Sequence, residues 1–309
     1  MRNCHVQPYI PDLDGCELIS YSHGSNQMDP FAFRIVRDGD NRLDQAIKIY
    51  PKIGSILSKK PILVNCYPAT LSKFPGTITI DTYLRKQNFS RALLLGHASD
   101  RPTIIIGQPF PVLDFFLSHL NQRLEIQKKI LIVLGGYWCP GGLDQTILDL
   151  LINHAEAVEI FHAYGVAEVN YACLLGQRDP ADSRILYQCV LQDVNPIIEK
   201  GRLVLEYTDV NGFLSNFDTE DSAEAHEGNF IIAPSRHRVP ENVVAEISSW
   251  NSQLWHRYTG YLKLNNDYKS MIIQLRPGLT PNTDREMDFF EFCKLYGMSW
   301  SDKPCYCLY

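Results

Sequence analysis

Between residues 101 and 165 the chain repeats one unit: a short apolar run, a small-residue break, then a segment with helical spacing. "RPTIIIGQP" (101–109) is a strand stopped by Gly107 and Pro109, and "FPVLDFFLSHLNQRL" (110–124) follows with helical spacing. Pro111 suits a first turn, where the missing N–H costs nothing. "KKILIVLGG" (128–136) and "GLDQTILDLLINHA" (142–155) repeat the unit, with an acid near the helix start. "AVEIFHAYG" (157–165) opens a third. Strands that read as unbroken apolar runs and alternate with helices predict parallel strands covered by helices on their faces. "KPILVNCY" (60–67) reads as one more buried strand.

After about residue 180 the pattern changes. "RILYQCVLQ" (184–192), "GRLVLEYTD" (201–209), "NFIIAPS" (229–235) and "YKSMIIQLR" (268–276) are strand-like, with few helices between them. The expected fold is therefore α/β, a parallel strand–helix core followed by a more antiparallel sheet. The expected parts are a core over 1–180, a β-rich part over 181–283 and a remnant helix and tail over 284–309. "DREMDFFEFCKLYG" (284–297) is the last helix candidate. Residues 1–30 are irregular, punctuated by Pro8, Pro11, Gly15, Gly24 and Pro30.

At 309 residues the chain buries roughly 75% of its unfolded surface and needs no disulfide staples. A net charge of −6, with no Lys/Arg run longer than a pair, argues against a nucleic-acid partner. The nine cysteines are odd in number and several sit in apolar runs, which fits reduced thiols. No apolar run reaches the length of a membrane span, and "MRNCHVQPYIPDLDGC" has no apolar signal core. The expectation is a cytoplasmic protein. Cys305 and Cys307 have no second pair at zinc spacing, so that pair reads as structural.

Ligands of open α/β sheets bind beyond the carboxyl ends of the parallel strands. Those ends carry Gly107-Gln108-Pro109, Gly135-Gly136 and Tyr164-Gly165. A turn at Ala163-Tyr164-Gly165 is followed by one acid, Glu168, among small and apolar residues. The pattern reads either as a turn with a solvated Glu or as a pocket floor with one carboxylate. Cys139 and His162 have the residue types of a nucleophile and its base. Packed, they would be a buried thiol and a core histidine. Arg236, His237 and Arg238 form either an anion site or a solvated loop, and Phe110, Tyr137 and Trp138 either a substrate pocket or plain core.

Several segments, in order, resemble the AMP-forming adenylate-forming ligases, the group of acyl-CoA synthetases, adenylation domains and phenylacetate-CoA-ligase-like enzymes. "KKILIVLGGYWCPGGLDQTIL" is similar to their strand, Gly-Gly turn and helix, and "FHAYGVAEV" to their aromatic-Gly-x-(Thr/Ser/Ala)-Glu motif. "GRLVLEYT", "WHRYTGYL" and "NDYKSMIIQLRPGLTP" resemble the Gly-Glu-Leu strand, the Tyr-Arg-Thr-Gly-Asp segment and the hinge. "LISYSHGSNQMDP" is a faint form of the phosphate loop.

The resemblance implies the large domain of such a ligase, without its N-terminal subdomain and most of its C-terminal domain. It implies ATP and Mg²⁺ as cofactors and a small carboxylic acid as substrate, with an amine, thiol or carrier protein as acceptor. By the same resemblance Ser22, Gly24 and Ser25 contact phosphate, with His23 as a further catalytic candidate. Gly135, Gly136 and Gly165 let backbone approach the nucleotide, Tyr164 stacks on adenine, and Glu168 positions Mg²⁺. His162 is the third catalytic candidate. The sequence departs from the pattern at Tyr261, which stands where the family's Asp holds the ribose, and the loop lacks its Lys. A phenol accepts hydrogen bonds weakly where a carboxylate would hold two hydroxyls. Two alternatives therefore remain: an ATP-independent enzyme on the same scaffold, and a non-catalytic half-ligase. The latter would act as a complementary subunit or homo-oligomer.

Overall fold

The computed structural model describes residues 16–21, 33–37, 42–67, 76–136, 139, 141–166, 169–181, 184–208, 212–233, 274–275 and 287–288. Cys16–Tyr21 (β1) and Phe33–Arg37 (β2) pair antiparallel. Helices Arg42–Ile49 (α1) and Pro51–Leu57 (α2) follow, the second opening on a proline that needs no N–H partner. Strand Ile62–Cys66 (β3) then begins the main sheet, followed by Ile78–Asp81 (β4), helix Lys86–Ala98 (α3) and Thr103–Gly107 (β5). Helix Pro109–Asn121 (α4), Lys129–Gly135 (β6), Gly141–Leu151 (α5) and Ala157–Val166 (β7) complete the strand–helix run.

These strands lie parallel in the order β4-β3-β5-β6-β7. Their register stacks side chains in rows that alternate between the two faces. Ile62, Val64, Ile105, Ile130, Ile132 and Leu134 point to one face, where α3, α4 and α5 cover them with Phe89, Leu93, Leu113, Phe116, Leu143 and Ile147. Phe89 and Phe116 meet edge-to-face at 5.2 Å. On the opposite face Leu63, Ile104, Leu131 and Phe161 receive Ala46 of α1 and Ile53 of α2. Each such buried aliphatic or aromatic side chain contributes on the order of 1.5–3 kcal/mol, so covering both faces supplies most of what orders this half.

The sheet continues antiparallel through Asn170–Arg178 (β8), Ile185–Cys189 (β9), Val194–Glu199 (β10), Arg202–Thr208 (β11), Leu214–His226 (β12) and Asn229–Ala233 (β13). Among the described residues it has eleven strands, ordered β10-β11-β12-β13-β9-β8-β7-β6-β5-β3-β4. The long β12 pairs with β11 along its first part and with β13 along its second, and so joins the outer hairpin to the rest. A third small core holds this half, built on Cys173, Leu174, Leu203 and Leu205. Gln274–Leu275 (β14) and Met287–Asp288 (β15) pair antiparallel. No described helix is long and apolar enough to cross a membrane.

The parallel strands and both long helices of the 101–165 region form as the sequence predicts. Three expectations need correction. Ala163-Tyr164-Gly165 is not a turn, because β7 runs on to Val166 and returns through β8, with only a register shift between Tyr164 and Val166. The change to antiparallel pairing falls between β7 and β8, before residue 180, because "NYACLLGQR" turns back against β7. Met287 and Asp288, inside the expected 284–297 helix, are strand residues.

Gly96 provides a test of the α3 packing. Alanine usually gains about 1 kcal/mol over glycine inside a helix. A Cβ on Gly96 would lie 2.5 Å from Thr103 Oγ1, on the strand beneath. Overpacking of this kind costs about 1–3 kcal/mol. Gly96→Ala is therefore expected to lower stability in urea unfolding, and a more stable variant would contradict the packing.

Candidate functional site

The strand order creates a crevice. After β3 the chain moves to β4 on one side, and after β5 it moves to β6 on the other. Connections leaving in opposite directions open a gap beyond the carboxyl ends of β3 and β5, the usual ligand position in such sheets. Tyr67 and Gly107 stand at that gap, with Gly135 and Gly136 ending the next strand.

A pocket of about 140 Å³ runs from this rim along the α1–α2 face. Its origin is visible in the rows. Leu63, Ile104 and Leu131 fill the row nearest α2, and Ile106 and Val133 the next. The row after that holds Gly135 beside Ala163, which bring almost no side-chain volume. Ala46 of α1 and Ala172 of β8 are equally small where they border it. The hollow is the space that larger residues would have filled. Ile53, Leu57, Leu175 and Val190 close the sides. Among the described lining residues only Tyr67 and Thr77 carry a polar side-chain atom, and none carries a charge.

The α1–α2 cover is tied down at its edge. Tyr50 donates its hydroxyl to the Leu175 carbonyl at 3.0 Å and packs edge-to-face on Phe161 at 4.9 Å. Lys52 pairs with Glu159 of β7 at 2.6 Å. At the rim, Tyr67 donates its backbone N–H to Asn65 Oδ1 at 2.9 Å, and Asn65 Nδ2 donates to Asp81 Oδ2 at 3.2 Å. A Cβ on Gly136, whose φ is +90°, would lie 2.5 Å from the Tyr67 ring. A Cβ on Gly135 would meet the Ala163 carbonyl at 2.8 Å. Both glycines are thus required by the chain's own packing.

A buried polar network lies across the sheet. His162 Nε2 donates to Asp144 Oδ2 at 3.1 Å, and Arg178 Nε donates to the same oxygen at 2.5 Å. Arg178 Nη2 also donates to the Cys139 carbonyl at 3.1 Å, in the segment that links the Gly-Gly turn to α5. Burial opposes the Asp144 charge, but the His162 hydrogen bond and the Arg178 charge outweigh it and hold the carboxyl below its ordinary range. Burial also pushes the His162 ring below its ordinary value, against the pull of Asp144. Burial raises the Cys139 thiol well above its ordinary value, which removes the thiolate a nucleophile needs. Farther along β7, Tyr164 donates its hydroxyl to Asp221 of β12 at 2.8 Å, and its partly exposed ring meets Tyr187 edge-to-face at 6.1 Å.

Of the residues singled out from the sequence, Gly135 and Gly136 border the pocket. His162 and Tyr164 face the other side of the sheet, and Gly165 lies within β7. His162 therefore lies on the face opposite the pocket. Ser22, His23, Gly24, Ser25, Glu168 and Tyr261 lie outside the described residues. So do Tyr137, Trp138, the 236–238 cluster, Cys305 and Cys307, while Phe110 is described as helix without its side chain. Among the described residues no group of three or more His, Cys, Asp or Glu side chains could hold a metal. Sequence reading missed Tyr67, Ala163, Asp144 and Arg178. Asp144 had a signal, an acid in the first turn of α5, whereas alanine and a tyrosine after "ILVNC" carry none.

No protein-family profile matches the sequence, and no curated protein matches it. Solved structures do match. An acyl-CoA synthetase (AMP-forming)/AMP-acid ligase II-like protein from Dyadobacter fermentans overlays at a TM-score of 0.44 and 19% identity, over 74% of this chain and 62% of that one. Wild-type E. coli MenE, with a bound analogue of OSB-AMS, overlays at 0.41 and 14% identity, over 67% and 46%. CmiS6 overlays at 0.42 and 14% identity, over 66% and 59%. The chain spans less than two thirds of the length of each of these structures.

Two predictions follow from the buried network. Removing one partner of a buried ion pair strands the other charge and costs about 3–5 kcal/mol. Asp144→Ala is expected to lose that much in urea unfolding, and a loss below about 1 kcal/mol would contradict the network. His162 stays neutral in the fold at a pH where the unfolded chain's histidine, at about 6.5, already binds a proton. Unfolding then takes up protons, so stability falls as pH drops below about 6.5. His162→Gln is expected to flatten the fall between pH 7.5 and 5.5, measured as urea midpoints; an unchanged slope would contradict it.

Proposed function

We propose that the chain is a compact, cytoplasmic, adenylate-forming ligase-like enzyme that activates a small carboxylic acid, in specialised metabolite biosynthesis. The observation that carries this reading is the apolar pocket at the carboxyl ends of β3, β5 and β6, where such a sheet takes its ligand. The ordered set of ligase-like motifs supports it independently. The reaction joins a carboxylate oxygen to the α-phosphorus of ATP and releases pyrophosphate. When bound, ATP supplies that electrophile, and Mg²⁺ offsets the charge of two approaching anions.

In this reading Gly135 and Gly136 border the nucleotide, and Tyr164, with Gly165 beside it, stacks on an adenine that reaches past the strand ends to the face opposite the pocket. Ser22, His23, Gly24 and Ser25 face phosphate, Tyr261 faces ribose, and Glu168 holds Mg²⁺. A tyrosine ring pinned at its hydroxyl by Asp221 and partly exposed has the fixed plane a stacking surface needs. An amine, thiol or carrier protein takes the activated acid, and a second copy or a complementary subunit completes the assembly.

One observation favours a second reading, an ATP-independent enzyme or a non-catalytic half-ligase on the same scaffold. The Tyr67 ring already holds the space over Gly136 that close approach of a nucleotide would use. Acid-dependent exchange of pyrophosphate into ATP separates the two. The ligase reading expects exchange with at least one acid and a fall of about ten- to a hundredfold for Glu168→Ala, the scale of losing a metal-positioning group. Absence of exchange across a broad acid panel, with no ATP binding by calorimetry, would favour the second reading.

A further inference from the structure

We propose that Arg178 is a positioning residue for the nucleotide: with two donors it fixes the chain between the Gly-Gly turn and α5, so its loss weakens ATP binding beyond any effect on stability. The inference rests on the reading that this chain activates an acid with ATP, and it adds a residue to the nucleotide side of that site. Arg178 stands in β8, and its guanidinium reaches past His162 of β7 to the start of α5. Its Nε donates to Asp144 Oδ2 at 2.5 Å and its Nη2 to the Cys139 carbonyl at 3.1 Å. One donor therefore serves a side chain in the first turn of α5, and the other a backbone oxygen in the link before it. Two donors of one planar group hold both acceptors at a fixed spacing, which a lysine ammonium does not reproduce. The Cys139 thiol is also hydrogen-bonded to Arg178 and to the Asp144 backbone. The second Asp144 oxygen accepts the Gln145 N–H at 3.0 Å, which holds the carboxylate within its own turn.

Stability alone does not call for this arrangement. A buried ion pair is seldom the most stable filling of such a space, because well-packed apolar side chains equal or exceed it. Strand pairing already holds β8 between β7 and β9. Apolar residues could not hold a backbone carbonyl in the link that follows Gly136, and that is what Arg178 adds. Gly136 takes the chain out of β6 at a φ of +90°, and the proposed function sets this turn against the nucleotide. The network also lies on the face of the sheet that carries the Tyr164 ring. Tyr187 of β9 joins the two, since its ring meets Tyr164 at 6.1 Å and the charges of Arg178 and Asp144 act on its hydroxyl. The apolar pocket lies on the opposite face, and Arg178 is not among its described lining residues. Loss of Arg178 is therefore expected to act on the nucleotide and to spare the acid.

The test measures ATP binding to the full chain by calorimetry with Mg²⁺, the urea midpoint, and the KM values for ATP and for the acid in pyrophosphate exchange. Arg178→Met fills the space but strands the Asp144 charge. It is expected to lower the midpoint and to weaken ATP at least tenfold. Adding Asp144→Asn removes the stranded charge and is expected to return most of the midpoint. ATP affinity in this double variant is expected to stay at least tenfold below wild type, because no guanidinium holds the Cys139 carbonyl. ATP affinity that returns together with the midpoint marks Arg178 as structural only and overturns the inference. Arg178→Lys keeps a cation beside Asp144 and is expected to hold the midpoint, to raise the KM for ATP about tenfold, and to leave the KM for the acid within twofold. A wild-type KM for ATP in that variant, or equal rises in both KM values, overturns the inference even where Arg178→Met does not fold. A wild-type chain that binds no ATP overturns the ligase reading and this role together. ATP binding by wild type that the variants leave unchanged overturns this role alone.

Discussion

Parallel strands in the middle of a sheet must be covered on both faces, and this chain covers its two faces unequally. Three helices, α3, α4 and α5, lay aromatic and branched side chains over one face without a break. Among the described residues the other face receives only the shorter α1 and α2, anchored by Tyr50 and Lys52. Cover and sheet part where Gly135 and Ala163 bring no bulk. The pocket is a consequence of that mismatch. Its place at the strand ends follows from the order β4-β3-β5, which sends the chain away from the gap in both directions.

The polar residues hold this arrangement from behind. Arg178 reaches from the antiparallel half to Asp144 and to the Cys139 carbonyl, so one guanidinium joins β8, the start of α5 and the segment after the Gly-Gly turn. Tyr164 makes a similar link to Asp221 of β12. Both links come from the face opposite the pocket. They leave the described pocket lining apolar apart from Tyr67 and Thr77, and still fix the strands that form it. That division favours a site that selects its ligand by shape and hydrophobicity, with polar chemistry confined to the rim.

The parallel core was legible because its strands are unbroken apolar runs with small-residue stops, and its helices keep their spacing. The antiparallel half was less so. "LSNFDTEDSAEAH" is acid-rich and has little strand propensity, yet β12 forms because β11 and β13 pair with it along successive parts of its length. Tyr164-Gly165 looked like a turn because glycine after an aromatic residue punctuates a sequence, while pairing with β8 carries the strand through it. His162 looked catalytic by residue type; spacing alone leaves open which face an even or odd position takes, and the fold turns it away from the pocket toward Asp144. Gly135 and Gly136 were placed at the rim correctly, but what they touch, Ala163 and Tyr67, depends on neighbours distant in sequence.

In the proposed function the hollow over the Gly135–Ala163 row receives the apolar part of an acid that the chain activates. A crystal structure of the chain with ATP, Mg²⁺ and benzoate tests it most directly. Ring density is expected between the β6–β7 floor and α1–α2, with the carboxylate at the rim beside Tyr67 and nucleotide density along the Gly135–Gly136 turn. A pocket empty at saturating benzoate, or nucleotide bound away from that turn, would contradict it.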